Sequence, residues 1–167
     1  MMKDHVRLMQ AFFASGEIIG RKKLQKMIYI AKKLSFPFHE KYQFHFFGPY
    51  SEELTLRVEE LCNMGFLTEQ KEKKSGYIQY RYGMTEEGQA FLDAQQVSVM
   101  RNLESCLCDL NTQSSRFLEL VSTVLYFEGL EREALVDKIH IVKSKQKYTA
   151  EEINEAFSYI EHLKTFS

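Results

Sequence analysis

The sequence predicts a mainly α-helical protein with one small β-hairpin, built as a winged helix-turn-helix domain over residues 1–92 and a helical carboxy-terminal region over residues 93–167. Three observations predict it. An aromatic, strand-like run at residues 42–47 enters a Gly48-Pro49 corner, after which Ser51 opens a helix. Two further strand-like runs, residues 66–72 and 77–82, are joined by Lys73-Lys74-Ser75-Gly76, a polar connection of hairpin length. Apolar residues recur at helical spacing before the first of these features and after the last.

Each element follows in order from its residues. Val6, Met9 and Phe13, with Leu8 and Phe12 beside them, mark a first core helix that Gly16 ends. Residues 17–19 form a short connector, and a second helix runs from Arg21 to about Leu34. At 100° per residue, Leu24, Met27, Ile28, Ala31 and Leu34 gather on one side of it, whereas Lys22, Lys26, Tyr29 and Lys33 fall on the other as a basic stripe with a tyrosine in it. Residues 35–41, holding Pro37, form a loop. The strand at 42–47 must stop at Pro49, which cannot donate to a sheet. Ser51 is a good N-cap for the third helix, with Glu52 and Glu53 in its first turn, and Gly65 is its stop.

After the hairpin, the candidate wing, Thr85 is the expected N-cap of a helix carrying Ala90, Phe91 and Ala94. Two helical segments follow, one with Met100, Leu103, Leu107 and Leu110 and one with Phe117, Leu118, Val121, Val124 and Leu125. Gly129 and residues 144–147 punctuate the chain next. A last helix opens with Thr149 and Glu152 in capping-box spacing and buries Ile153, Phe157, Ile160 and Leu163. The carboxy-terminal helices are expected to pack back on the winged-helix domain or to pair with a second copy as a homodimer.

Composition narrows the function classes. Lys+Arg 22 against Asp+Glu 23 gives a net charge of -1, so no global field pulls this chain toward nucleic acid. Cys62, Cys106 and Cys108 are odd in number and form no C-x-x-C pair, which points away from a disulfide frame or zinc ribbon and toward a reducing cytoplasm. Cys106 and Cys108 lie about 200° apart on a helix, one expected in the core and one half-exposed. The amino terminus leads into no long apolar core and is not read as a signal peptide, and no stretch approaches the roughly 20 apolar residues of a membrane span. The five histidines show no H-x-x-x-H or H-E-x-x-H spacing, and Gly16 to Lys22 lacks the spacing of a phosphate loop. No metal, cofactor or enzyme chemistry is expected.

A winged helix reads DNA with its third helix in the major groove. Here Leu54, Val58, Leu61 and Cys62 make the buried stripe of that helix, and the opposite face carries Glu52, Glu53, Glu59 and Glu60 around Leu56. Carboxylates repel phosphates, whereas DNA binders gain affinity from Lys and Arg contacts. The acidic rim around an exposed leucine fits a protein partner instead. Charge is polarised along the chain: residues 21–41 set seven cations against Glu40, a net +6, and residues 42–72 set Arg57 and Lys71 against six glutamates, a net -4. The expected function is a non-enzymatic cytoplasmic regulatory or protein-interaction module that uses the Leu56 face or the Lys22-Lys26-Tyr29-Lys33 stripe. The alternative is a winged-helix DNA-binding transcriptional regulator that uses the stripe and the wing.

Gly20-Arg-Lys-Lys-Leu-Gln-Lys-Met-Ile-Tyr-Ile-Ala31, followed by Phe44-His-Phe-Phe-Gly-Pro-Tyr-Ser-Glu-Glu-Leu54, resembles the bacterial YwgA-type family of uncharacterised proteins over most of the chain, most sharply from Gly20 to Gly88. More distantly, Lys23-Leu-Gln-Lys26 with an aromatic strand ending in Gly48-Pro49 is similar to the SocA-like, or Panacea, antitoxin domain. That resemblance implies a helical domain that binds and neutralises or delivers another protein. Thr85-Glu-Glu-Gly88 after a tyrosine-rich strand resembles the wing-to-helix junction of MarR- and PadR-type regulators, from whose pattern the acidic third helix departs.

Overall fold

The computed structural model describes every residue except Met1 and Val99. It is mainly helical, with two small antiparallel sheets. Helix α1 (Met2–Ser15) ends at Gly16, whose φ of +71° is open to glycine at no steric cost. Its core face is Val6, Leu8, Met9, Ala11 and Phe12, whereas Phe13 is 60% exposed. The expected core role of Phe13 is thus corrected: the face of α1 that is buried in the core is that of Leu8, Met9 and Phe12.

The connector after α1 contains a two-residue strand, β1 (Ile18–Ile19), and α2 (Arg21–Lys33) follows. The corner before the third helix is a hairpin of its own, β2 (Gln43–His45) against β3 (Gly48–Tyr50). The chain therefore turns at Phe46-Phe47, and Gly48-Pro49 opens the return strand where the sequence predicted a stop. Pro49 faces Phe44, while the flanking pairs Gln43–Tyr50 and His45–Gly48 can exchange the ladder hydrogen bonds, so a missing N–H at Pro49 is tolerated in this narrow ribbon.

Helix α3 (Glu52–Asn63) begins at the Ser51 cap, whose Oγ accepts from the Leu54 amide at 3.0 Å. The second hairpin, β4 (Leu67–Lys74) and β5 (Tyr77–Met84), turns through Ser75-Gly76 and runs in register from Leu67 opposite Met84 to Lys74 opposite Tyr77. β1 pairs along β5, giving a three-stranded sheet in the order β1-β5-β4. Thr85 caps α4 (Glu86–Ala94) by accepting from the Gly88 amide at 2.9 Å.

The remaining helices are α5 (Leu103–Asn111), α6 (Ser115–Tyr126), α7 (Arg132–Val142) and α8 (Ala150–Leu163), with a 3-10 turn over Lys164–Phe166. Thr149 and Glu152 form the expected capping box of α8, and Cys106 is buried while Cys108 is exposed. Helix α7, which the sequence pattern did not single out, buries only Leu135 and Ile139. The carboxy-terminal helices pack back: α6 lies on α2, α5 lies on α1 and α2, and one hydrophobic core runs through both regions.

Candidate functional site

Helix α2 is buried from Leu24 to Ala31 because it is covered on two sides, by the amino-terminal core and by α6. Its polar residues therefore meet other protein groups. Gln25 Nε2 donates to the Ser51 carbonyl at 2.9 Å, and the Ser51 amide donates to Gln25 Oε1 at 2.9 Å. One side chain thus reads both main-chain groups of the residue that caps α3. Next to it, Lys26 Nζ donates to the Pro49 carbonyl at 2.6 Å, and Tyr42 donates its hydroxyl to the Gln25 carbonyl at 3.1 Å. The Lys-Leu-Gln-Lys and Gly-Pro-Tyr-Ser segments are two halves of one joint, which fixes the entry angle of α3 relative to α2.

The expected basic stripe is corrected by this packing. Lys26 is only 2% exposed and Tyr29 is buried, so neither lies on a solvated face. Lys22 Nζ lies 3.2 Å from Glu119 Oε1, and Lys33 Nζ lies 2.9 Å from a Glu128 carboxylate oxygen. Tyr29 sits edge-on to Tyr42, with ring centroids 4.9 Å apart, and 6.3 Å from Tyr126. The stripe is the seam against α6. Glu119, buried on α6, also receives Lys143 at 2.8 Å and Gln146 at 3.1 Å on its Oε2, and Lys143 in turn donates to the Phe46 carbonyl at 2.8 Å. Burial pushes the Lys26 amine down to about 7; Glu119 opposes that shift, and the Lys143 and Lys22 cations add to it.

Between α2, the β2–β3 hairpin and α3 lies a cavity of about 640 Å³, and Glu69 of β4 and Tyr82 of β5 also line it. Its walls include Leu24, Leu54, Val58, Phe46, Phe47 and Tyr50, with Arg21, Lys22, Lys26, His45 and Glu59 as the other titratable residues. The hairpin tip stands at its edge with Phe46 65% and Phe47 54% exposed, rings 5.0 Å apart and perpendicular. Lys22 lies over the Phe47 ring at 4.8 Å and Lys145 over the Phe46 ring at 5.3 Å. Arg21 and Tyr82 both donate to Glu69, at 3.4 and 2.6 Å.

The predicted acidic face is present but narrower than expected. Leu56 is 56% exposed, and Glu52 and Glu59 are exposed on either side of it. Glu53 accepts from the Lys41 amide at 2.7 Å, and Glu60 lies 2.9 Å from His5 Nε2, so these two are held by the fold. Glu59 belongs both to this face and to the cavity wall, and so joins the two. Sequence reasoning missed Phe46 and Phe47 as surface features because an aromatic run reads as strand core. The one available signal was two consecutive phenylalanines directly before Gly-Pro, where alternation breaks down. His45 is exposed, with its ring 5.2 Å from that of Tyr50.

Among the described residues no three His, Cys, Asp or Glu side chains are grouped to hold a metal ion, and no helix is long and apolar enough to cross a membrane. Fold and cavity define a small helix-rich protein with two antiparallel sheets and a preformed cleft edged by exposed aromatic residues. No protein-family model matches the chain. It is 64% identical over 164 residues to "Uncharacterized protein YwgA" of Bacillus subtilis (strain 168), an alignment covering 98% of each sequence, and it belongs to the YwgA family.

Proposed function

We propose that this protein is a non-enzymatic regulatory module on a winged-helix scaffold, which acts in the cytoplasm by docking another protein. The order α1, β1, α2, α3, β4, β5, with the β2–β3 hairpin inserted between α2 and α3 and β1 laid along β5, supports the winged-helix reading. The observation that carries the docking reading is the exposed apolar set Phe46, Phe47 and Leu56 around a preformed cleft, with Glu52 and Glu59 on its α3 side. Large exposed apolar side chains with a charged rim mark protein-binding surfaces, where buried aromatic anchors supply most of the affinity. The partner this chemistry suits offers an apolar side chain to the cleft and Lys or Arg to Glu52 and Glu59.

Regulation by DNA binding draws less support. Lys22, Lys26 and Lys33, the cations that reading would use, are engaged by Glu119, the Pro49 carbonyl and Glu128, and α3 presents carboxylates outward.

Affinity capture followed by titration of the purified partner tests the proposal. Leu56→Asp should weaken binding at least about tenfold while leaving unfolding free energy within about 0.5 kcal/mol, because the residue is on the surface. Duplex DNA titrated at two salt concentrations is the opposing test. Micromolar affinity with a steep negative salt slope, unaffected by Leu56→Asp, would replace the docking reading by the DNA one.

A further inference from the structure

The cleft holds an unbalanced charge on its hairpin side. Three amines, Lys22, Lys26 and Lys143, surround one carboxylate, Glu119. Both Glu119 oxygens are taken, one by Lys22 and the other by Lys143 and Gln146. Lys26, almost fully buried, is left with a neutral acceptor, the Pro49 carbonyl, and no carboxylate within ion-pair distance among the described residues. A buried cation without a counter-ion is costly, and three amines to one carboxylate leave this side of the cleft short of negative charge, with Lys26 the amine that no carboxylate pairs.

Lys22 and Lys26 both line the cavity, together with Leu24, Leu54, Phe46 and Phe47. A volume of about 640 Å³ lies within the range typical of small-molecule sites, which are mostly apolar with a few polar groups that orient the ligand. The opposite polarity sets a limit: Glu59 also lines the cavity and would face any second negative charge, while Glu69 and Arg21, both in the lining, are paired with each other. One anionic group on an apolar body satisfies all of these conditions.

We propose that the cleft binds a small monocarboxylate with an apolar body, the carboxylate taken by Lys22 and Lys26 and the body by Leu24, Leu54, Phe46 and Phe47. The site does not rest on the docking reading, since Leu56 is outside the cavity wall. It gives that reading a means of control, because ligand and partner would share the two phenylalanines. Binding is coupled to protonation. A carboxylate beside Lys26 raises an amine that burial had lowered to about 7, so at pH 8 the complex takes up a proton and at pH 6, where the amine is already charged, it does not.

Titration calorimetry of the full chain with octanoate, octanamide and octyl phosphate tests the site. Octanoate is expected to bind at least about tenfold tighter than either of the others. Lys22→Met should weaken octanoate by about tenfold and leave the weak octanamide binding unchanged, and Lys26→Met should do the same and abolish proton uptake. Uptake is read from the dependence of the heat on buffer protonation enthalpy at pH 8. Circular dichroism checks that each variant is folded; if Lys26→Met is not, Lys22→Met, whose side chain is partly exposed, decides. Leu56→Asp should leave octanoate affinity within about twofold, which separates failure of this site from failure of the docking reading. Equal affinity for octanoate and octanamide, tighter binding of octyl phosphate, or no binding of octanoate at millimolar concentration overturns the proposal.

Discussion

The buried amine of Lys26 makes stability depend on pH in a way a single variant can isolate. An unfolded lysine holds its proton up to its ordinary value of 10.5, whereas the folded chain releases it near 7. Between those limits the unfolded state binds more protons, so stability rises with pH; below about 7 both states are charged and the full cost of burial is present. With these two values the linkage relation gives a gain of about 2 kcal/mol between pH 7 and pH 9 from this one group. The window closes near pH 9, because Cys106, pushed up to about 12 by burial, and the buried tyrosines Tyr29, Tyr82 and Tyr148 keep their protons when folded and act in the opposite direction at higher pH. Lys26→Met keeps the apolar stem and removes both the titration and the bond to the Pro49 carbonyl. The difference in unfolding free energy between wild type and variant should therefore move by about 2 kcal/mol in favour of wild type from pH 7 to pH 9, measured by urea unfolding at three pH values. Subtraction cancels the other titrating groups. A difference that stays flat across the window would refute the idea of an uncompensated buried amine.

Two further substitutions test the joint and the packing of α4 against the end of the β4–β5 hairpin. Gln25→Leu leaves the buried Ser51 amide without its acceptor, whereas the Ser51 carbonyl keeps the Thr55 amide and hydroxyl, and should cost about 1–3 kcal/mol by urea unfolding. A loss under about 0.5 kcal/mol would mean that the α3 cap stands without α2. Gly88→Ala would place a Cβ 2.3 Å from the Phe66 carbonyl oxygen and 3.0 Å from its carbon, so α4 must shift away from the end of the hairpin. The expected cost is about 1–3 kcal/mol, seen as a lowered thermal midpoint.

What was legible in the sequence was local. Ser51, Thr85 and the Thr149–Glu152 pair announce helix starts because each satisfies main-chain groups within three residues of itself. The β4–β5 hairpin was visible for the same reason, through its short polar turn. Helix α2 was misread because its second packing partner is distant: Lys22 meets Glu119, 97 residues on, and no helical wheel contains that information. A lysine opposite an apolar stripe is ordinarily solvated, and here α6 takes the place of solvent. The same long separation hid the seat of the hairpin tip, since Phe46 is held by Lys143, also 97 residues away. Helix α7 escaped because two buried residues in eleven make too weak a period to read.

The two motifs that carry the resemblance are better explained as one structural device than as two sites. Gln25 and Lys26 spend their polar groups on Ser51 and Pro49, so they are occupied in positioning the main chain. Lys143 does the same at Phe46, from the carboxy-terminal end of α7. Three side chains from two helices thus pin the hairpin and the start of α3, while Phe46 and Phe47 stay exposed. A cleft whose walls are fixed in this way loses little conformational entropy when it is filled, which favours binding without rearrangement. The joint fixes the cleft walls and leaves Phe46, Phe47, Leu56, Glu52 and Glu59 exposed beside it, while Lys26, part of the joint, also lines the cavity.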